Sequence, residues 1–385
     1  MTPRNRIAIL THSVNARGGV VHALELAGAL NRLGHDAVVH APDPDGRGFF
    51  RRCLGLTVSV AAGPAPHGVT EMVEQRIRDY VAHFERSDHR SFDVYHAQDG
   101  ISGNALAVLK ACGLIRGFIR TVHHMDGFAD PRLQELQHRS IAHADRILTV
   151  SRMWSERIAH EFGRPTTQVG NGVDLDRFNV QGSAEDEALC RRLSLGDGPI
   201  LLSVGGIEER KNSLRILAAF CQLRQVHPNA QLVIAGGASV LDHGAYQQRF
   251  KAQRAEAGLP PDALVIAGVM QDREMPALYR IADALIFPSR REGFGLVVLE
   301  AMASGCPVVA AHIAPFTEYL GQDDVVWCDP LNVGSIANAM ATVISEPVRS
   351  RLIASGQKVA RCHGWLATAH RHLPVYNDMR ELHLA

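Results

Sequence analysis

Short apolar, β-branched runs alternate with longer amphipathic stretches almost from end to end of this chain, and no other feature restricts its fold as strongly. Ile7–Thr11, Ala37–His40, Val58–Ala61, Val94–Ala97, Phe118–His123 and Ile147–Val150 read as buried strands. Helical periodicity fills Val20–Leu33, Val69–Phe84 and Ile101–Cys112 between them. Strands separated by crossover helices pair in parallel, with right-handed connections. The pattern restarts after the polar stretch Asn179–Gly198: Ile200–Val204, Leu232–Ala235, Leu264–Ala267, Ala284–Phe287 and Val308–Ala311 form a second strand set. Its helices are expected near Leu214–Val226, Tyr246–Glu256, Glu274–Ile281, Val297–Ser304 and Ser335–Ile344. The chain is therefore expected to form two α/β domains, each a doubly wound parallel sheet, with the boundary near residues 180–198. Ligands are expected at the carboxyl ends of the strands.

A length of 385 residues accommodates two such domains, and 46% hydrophobic with 21% charged residues excludes a disordered chain. The 40 Lys and Arg balance the 40 Asp and Glu, so a nucleic-acid partner is not expected. The 7 cysteines are scattered without a C-x-x-C pair, which argues for a reducing compartment and against a zinc site. The amino terminus shows no signal-peptide pattern, and the apolar stretch Leu296–Ala311 is broken by Glu300, Ser304, Gly305 and Pro307. The expectation is a cytoplasmic enzyme.

Three loops carry chemistry. Gly18 and Gly19 follow the first strand and open a helix, where bare backbone amides and the helix dipole favour an anion; a tight turn also explains the pair. Gly205 and Gly206 lead to Arg210 and Lys211 before another helix, two cations that could neutralise a diphosphate. A solvated charged loop explains them as well. The third is F-P-S-R-R-E-G-F-G-L-V-V-L-E-A-M-A-S-G-C-P-V-V, with Glu292 in an exposed strand-end loop and Glu300 in the helix beyond. Glu300 lies five residues past Gly295, about 7.5 Å along a helix. Two carboxylates so spaced, with Gly293 and Gly295 between them, suit the hydroxyls of a sugar and a ribose; a helix-start anion plus a half-buried helix residue is the alternative.

These segments resemble the family-4 glycosyltransferases of GT-B fold. The resemblance is carried by the E-x7-E block at Glu292 and Glu300, and supported by Gly18–Gly19, L-G-H (33–35), F-D-V-Y-H-A, T-V-H (121–123), A-D-R-I-L-T-V-S, N-G-V-D with Phe178, and Trp365. It implies two Rossmann-like domains facing a central cleft, residues 1–180 on the acceptor side and 190–364 binding the donor, with a final helix at 365–385 rejoining the first. The implied activity is retaining, metal-independent transfer of a sugar from a nucleotide sugar, UDP before GDP, with no cofactor. By this resemblance Glu292 holds donor-sugar hydroxyls, Glu300 the ribose, and Lys211 with Arg210 the diphosphate. Gly19 approaches the phosphate, the amides of Phe294, Gly295 and Leu296 face the sugar and phosphate, and His123 contacts the sugar near its reacting carbon.

The chain departs from the family at Gly206, where an arginine is usual, and at H-I-A-P-F-T-E, which keeps only Glu318 of G-G-x-x-E. The D-L-D string at Asp174–Asp176 reads as a turn or cap rather than a metal site. A catalytically silent nucleotide-sugar binder and a nucleotide-sugar epimerase of the same fold are the alternatives. The acceptor, whether glycan, lipid or small molecule, is not specified. Its contacts are expected on loops such as Arg47–Arg52 and Gly127–Arg132, and R-G-F-F-R-R could face an anionic lipid, with peripheral membrane contact, or a phosphate, or remain a solvated loop.

Overall fold

The computed structural model describes residues 4–52, 55–64, 68–237 and 244–384. The chain divides into one unit made of Met1–Gly172 with Trp365–Ala385, and a second made of Val173–Gly364.

Among the described residues, the first unit holds a seven-stranded sheet in the order β3-β2-β1-β4-β5-β6-β7, with every pairing parallel. Its strands are β1 (Arg6–Leu10), β2 (Asp36–Asp43), β3 (Leu56–Ala61), β4 (Val94–Ala97), β5 (Ile119–Val122), β6 (Arg146–Thr149) and β7 (Thr167–Gln168). The helices are α1 (Gly18–Arg32), α2 (Val69–Glu85), α3 (Gly100–Ala111), α4 (Pro131–Ala142) and α5 (Arg152–Phe162). A parallel sheet covered on both faces needs apolar residues without alternation, and Ile7 to Leu10 are each fully buried. Asp99 starts α3 through a capping box, its Oδ1 accepting from the Ser102 N–H at 2.9 Å. Asp130 and Pro131 start α4 in the same spirit, a side-chain cap followed by proline.

The second unit opens with α6 (Ala184–Leu193) and continues β8 (Ile200–Val204), α7 (Ser213–Leu223), β9 (Gln231–Ala235), α8 (Gly244–Glu256), β10 (Leu264–Gly268) and α9 (Met275–Ile281). It closes with β11 (Ala284–Phe287), α10 (Leu296–Ala303), β12 (Val308–Ala311), α11 (Phe316–Tyr319), β13 (Val326–Cys328), α12 (Val333–Val343) and α13 (Val348–Cys362). The sheet order is β10-β9-β8-β11-β12-β13, again all parallel. The chain then returns to the first unit as α14 (Trp365–Leu384), which packs on α1.

The boundary differs from the one expected at 180–198. Residues 173–180 belong to the second unit, and the polar stretch after them is not a linker. It contains α6, held to α9 by two hydrogen bonds from Arg280 to Asp186 at 2.9 and 2.6 Å. Only Leu189 and Leu193 of that helix are buried, so its composition resembles that of a linker.

Strand order also locates the ligand crevices. In an open parallel sheet they form where neighbouring strands send their connections in opposite directions. Those points lie between β1 and β4 in the first unit and between β8 and β11 in the second. The loops leaving β1, β8 and β11 carry Gly18–Gly19, Arg210–Lys211 and Glu292 respectively, while His123 follows β5.

Candidate active site

The second unit gathers Arg210, Lys211 and Glu292. The two cations occupy the turn between β8 and α7, and Glu292 the loop between β11 and α10. Glu292 Oε1 accepts from Arg210 Nη1 at 2.7 Å and from Lys211 Nζ at 2.8 Å. The backbone locks the two loops together: Arg290 N–H donates to Arg210 O at 2.9 Å, and Asn212 Nδ2 donates to Pro288 O at 3.0 Å and Pro330 O at 2.6 Å. Asn212 has φ of 66°, a left-handed conformation that asparagine tolerates. Lys211 Nζ also stands 4.5 Å from the centre of the Phe287 ring.

Burial alone would raise the Glu292 carboxyl, but the charges of Lys211 and Arg210 outweigh it and hold the group below its usual range. Burial lowers Lys211 in turn, opposed chiefly by Glu292. The trio is thus a buried carboxylate shared by two cations, one of which, Arg210, also lies 3.6 Å from the Glu208 carboxylate. Two fixed cations at a strand-end crevice are what an anionic ligand requires.

α10 begins beside the trio. Gly295 precedes it with φ of 97°, and a Cβ there would lie 2.6 Å from Phe316 Cε1, so glycine is required for conformation and for space. Phe294 stacks on Tyr319 with ring centres 4.6 Å apart. Glu300, further along α10, accepts from the Tyr279 hydroxyl at 2.7 Å. Gly205 and Gly236 also have positive φ, at the carboxyl ends of β8 and β9, and a Cβ on Gly236 would meet the Gly205 backbone at 2.8 Å.

The first unit builds its crevice from neutral rings. Gly18 and Gly19 open α1, and a Cβ on Gly19 would sit 3.6 Å from His123 Cδ2. His123 Nε2 lies 2.8 Å from Gln98 Oε1, and its ring meets His22 edge-on at 4.8 Å. His22 contacts His372 and Trp365 of α14, and His372 contacts His96. Burial pushes His22 down to about 4 and His372 to about 3, and it holds His96 and His123 well below the usual imidazole range. All four are neutral at pH 7.

Residues 16–177 match the family described as Glycosyltransferase Family 4, and residues 187–359 match Glycosyl transferases group 1. Glycogen synthase of Mycobacterium tuberculosis is 27% identical over 92% of this chain and 89% of its own length. The phosphatidyl-myo-inositol mannosyltransferase of the same organism is 27% identical over 96% of both chains. The chain belongs to the family-4 glycosyltransferases. Its fold is GT-B. Sucrose-phosphate synthase from Thermosynechococcus elongatus superposes with a TM-score of 0.80 at 21% identity, over 97% of this chain and 99% of that one. Anabaena HepE, solved in complex with UDP-glucose, gives 0.76 at 17% identity, over 97% and 100%.

For this glycosyltransferase, one expectation fails outright. Glu292 was expected in an exposed loop, yet it is 8% exposed because two cations close over it. The structure joins Arg210, Lys211 and Glu292, and it seats Glu300 on a partner of its own, Tyr279. The acceptor-loop residues are also engaged: Arg51 pairs with Glu25, and Arg132 with Glu74 and Glu135. Asp174 Oδ1 accepts from the backbone N–H groups of Asp176 and Arg177, the capping role expected of D-L-D. Sequence reasoning missed His22, His96, Gln98, His372 and Tyr376. They come from α1, β4, the loop after β4 and α14, far apart in the sequence, and only the total of 20 histidines hinted at them. No helix among the described residues is long and apolar enough to cross a membrane.

Proposed function

We propose that this glycosyltransferase transfers a sugar from a nucleoside-diphosphate sugar with retention at the anomeric carbon and without a metal ion. The observation that carries the reading is the cation pair Arg210 and Lys211, gathered with Glu292 at the β8/β11 crevice. When the bond from the anomeric carbon to the phosphate oxygen breaks, that oxygen keeps the electron pair. The acceptor hydroxyl oxygen bonds to the same face of the carbon, and its proton passes to a phosphate oxygen. Negative charge therefore grows on the diphosphate, and fixed cations stabilise it as it develops. Lys211 and Arg210 supply them. On donor binding the diphosphate takes over these cations, and Glu292 turns from ion-pair partner to acceptor of sugar hydroxyls.

The amides of Phe294, Gly295 and Leu296 at the start of α10 favour the same phosphate. Glu300 accepts from the ribose diol, steadied by Tyr279. His123 contacts the donor sugar, and Gly18–Gly19 leave bare backbone for the phosphate. UDP is the favoured nucleotide, in keeping with the UDP-glucose bound by HepE.

A thermal-shift series with UDP-glucose, GDP-mannose and ADP-glucose tests the donor, since a ligand at a hundred times its Kd stabilises the native state by about 2.7 kcal/mol. The largest shift is expected with UDP-glucose. UDP release should survive exhaustive chelation, and the product should keep the donor's anomeric configuration by NMR. Activity lost to chelation and restored by Mn²⁺ refutes the metal-free reading; an inverted product refutes retention.

A further inference from the structure

Gln98 follows β4, is 2% exposed, and sets its Oε1 2.8 Å from His123 Nε2. Its backbone N–H donates to Leu10 O at 2.9 Å, which fixes the residue at the β1/β4 switch point. The amide nitrogen faces the other way, 3.2 Å from His96 Nε2. His96 is itself fixed, by Thr121 Oγ1 at 2.6 Å on Nε2 and by the Tyr376 hydroxyl at 2.8 Å on Nδ1.

An amide oxygen can only accept, so the ring nitrogen it faces must carry the proton. A neutral imidazole has one N–H, and the partner of one nitrogen thereby decides the role of the other. We propose that Gln98 is a positioning residue that holds His123 as the Nε2–H tautomer and so presents Nδ1 as a hydrogen-bond acceptor for a donor-sugar hydroxyl. The ring is further held by His22, which meets it edge-on at 4.8 Å. Gln98 needs no charge to do this, which leaves the imidazole neutral and able to accept.

The inference rests on the reading of His123 given above, yet its test is separable. Full-length protein labelled with ¹⁵N-histidine gives two-bond ¹H–¹⁵N spectra that distinguish the tautomers, and His123 is assigned by the signal lost in His123→Asn. The wild type should show the Nε2–H pattern. Gln98→Met keeps the length of the side chain but removes the acceptor, so a measurable Nδ1–H fraction, absent from the wild type, should appear. UDP-glucose turnover by this variant should drop about tenfold with KM little changed. A wild-type His123 in the Nδ1–H form overturns the proposal, as does an unchanged tautomer in folded Gln98→Met. The first result is read without any variant at position 98, so a Gln98→Met that fails to fold does not shield the idea. Undiminished turnover in His123→Asn would refute the site reading instead and leave the tautomer where it is.

Discussion

The two units share an architecture and differ in the polar groups gathered at their strand-end crevices. At its switch point the first buries neutral imidazoles, His22, His96, His123 and His372, linked by ring contacts and amide hydrogen bonds. The second buries ionised groups, with one carboxylate shared by two cations. Polar groups leave water at a cost that falls when they are neutral or well paired; the first unit relies on neutral rings at its crevice, although it also buries the ion pair Arg76–Asp79 elsewhere, and the second on pairing. The difference teaches where each crevice is sensitive: the first to protons, the second to loss of a counter-charge.

The largest expected consequence is acid unfolding confined to the first unit. A histidine depressed in the folded state contributes stability that is fully present above its unfolded value of about 6.5 and is lost as pH falls toward its folded value. His22 sits at about 4, and His40 and His372 at about 3. Each such depression amounts to about 3 kcal/mol or more, and together they rival a domain's whole stability of about 5–15 kcal/mol. In the second unit, Glu292 and Asp186 are depressed carboxylates, whose contribution is lost only as pH falls below the ordinary carboxylate range. Between pH 6.5 and about 4.5 the first unit should therefore lose stability and the second should not. Trp154 and Trp365 lie in the first unit and Trp327 in the second, so a Trp327→Phe variant reports on the first alone. Coincident acid transitions in both units would break the comparison.

Next in size is the loss of a counter-charge in the second unit. A hydrogen bond to a charged group is worth about 1.5–3 kcal/mol, so Lys211→Ala should weaken UDP binding about ten- to a hundredfold. Turnover should fall further, because the leaving charge grows after binding. Arg210→Ala should be milder: its side chain is 33% exposed against 14% for Lys211, so water replaces more of what it gives. Glu292→Ala should abolish turnover and also destabilise the unliganded fold, since it leaves two neighbouring cations without their shared partner. Added pyrophosphate should then restore part of its Tm. Calorimetry with UDP and turnover of UDP-glucose measure all three variants; near-wild-type Lys211→Ala would mean other groups hold the phosphate.

How much of this was legible depends on how local each signal is. Strands such as Ile200–Val204 and Ala284–Phe287 were read correctly because parallel strands buried on both faces need continuous apolar runs. β7 escaped notice because it has two residues, both exposed, and β13 because it has three. The glycine loops and the cation pair were visible as strand-end features. Their consequence was not: Lys211 and Glu292 stand 81 positions apart, and nothing in either loop shows that they neutralise each other. The histidine network was less legible still, since His372 reaches the first unit only by the return of α14.

Glycine substitutions give a smaller contrast. Gly295→Ala imposes a side chain at φ of 97° and drives it against Phe316 Cε1 at 2.6 Å, where the ring is fully buried. The backbone strain alone costs about 1–3 kcal/mol. Gly19→Ala sits in the first turn of α1 without positive φ, and its Cβ meets His123 Cδ2 at an ordinary 3.6 Å. Its fold should be unharmed or slightly stabilised, by up to about 1 kcal/mol. Urea unfolding separates the two; equal destabilisation would show that Gly19 is held by more than the contact with His123.

The smallest expected effect asks whether charge or burial governs the two tyrosine hydroxyls. Tyr279 donates to the Glu300 carboxylate at 2.7 Å, and Tyr376 stands 2.8 Å from His96 Nδ1. Charge alone would make the first bond the costlier to lose. Burial argues otherwise, because Glu300 is only half-buried and water can replace the phenol. His96 is fully buried, and Tyr376→Phe leaves its Nδ1 away from water with only the long 3.4 Å contact to Gln98 Nε2. An orphaned buried group costs about 1–3 kcal/mol, whereas a bond that water can replace costs about 1 kcal/mol. Tyr376→Phe should thus be at least as destabilising as Tyr279→Phe in urea. Tyr279→Phe should instead register in ligand binding, lowering affinity for UDP a few-fold as Glu300 loses its steadying partner. A Tyr279→Phe that is clearly the less stable protein would mean that charge, rather than exposure, sets the worth of these hydroxyls.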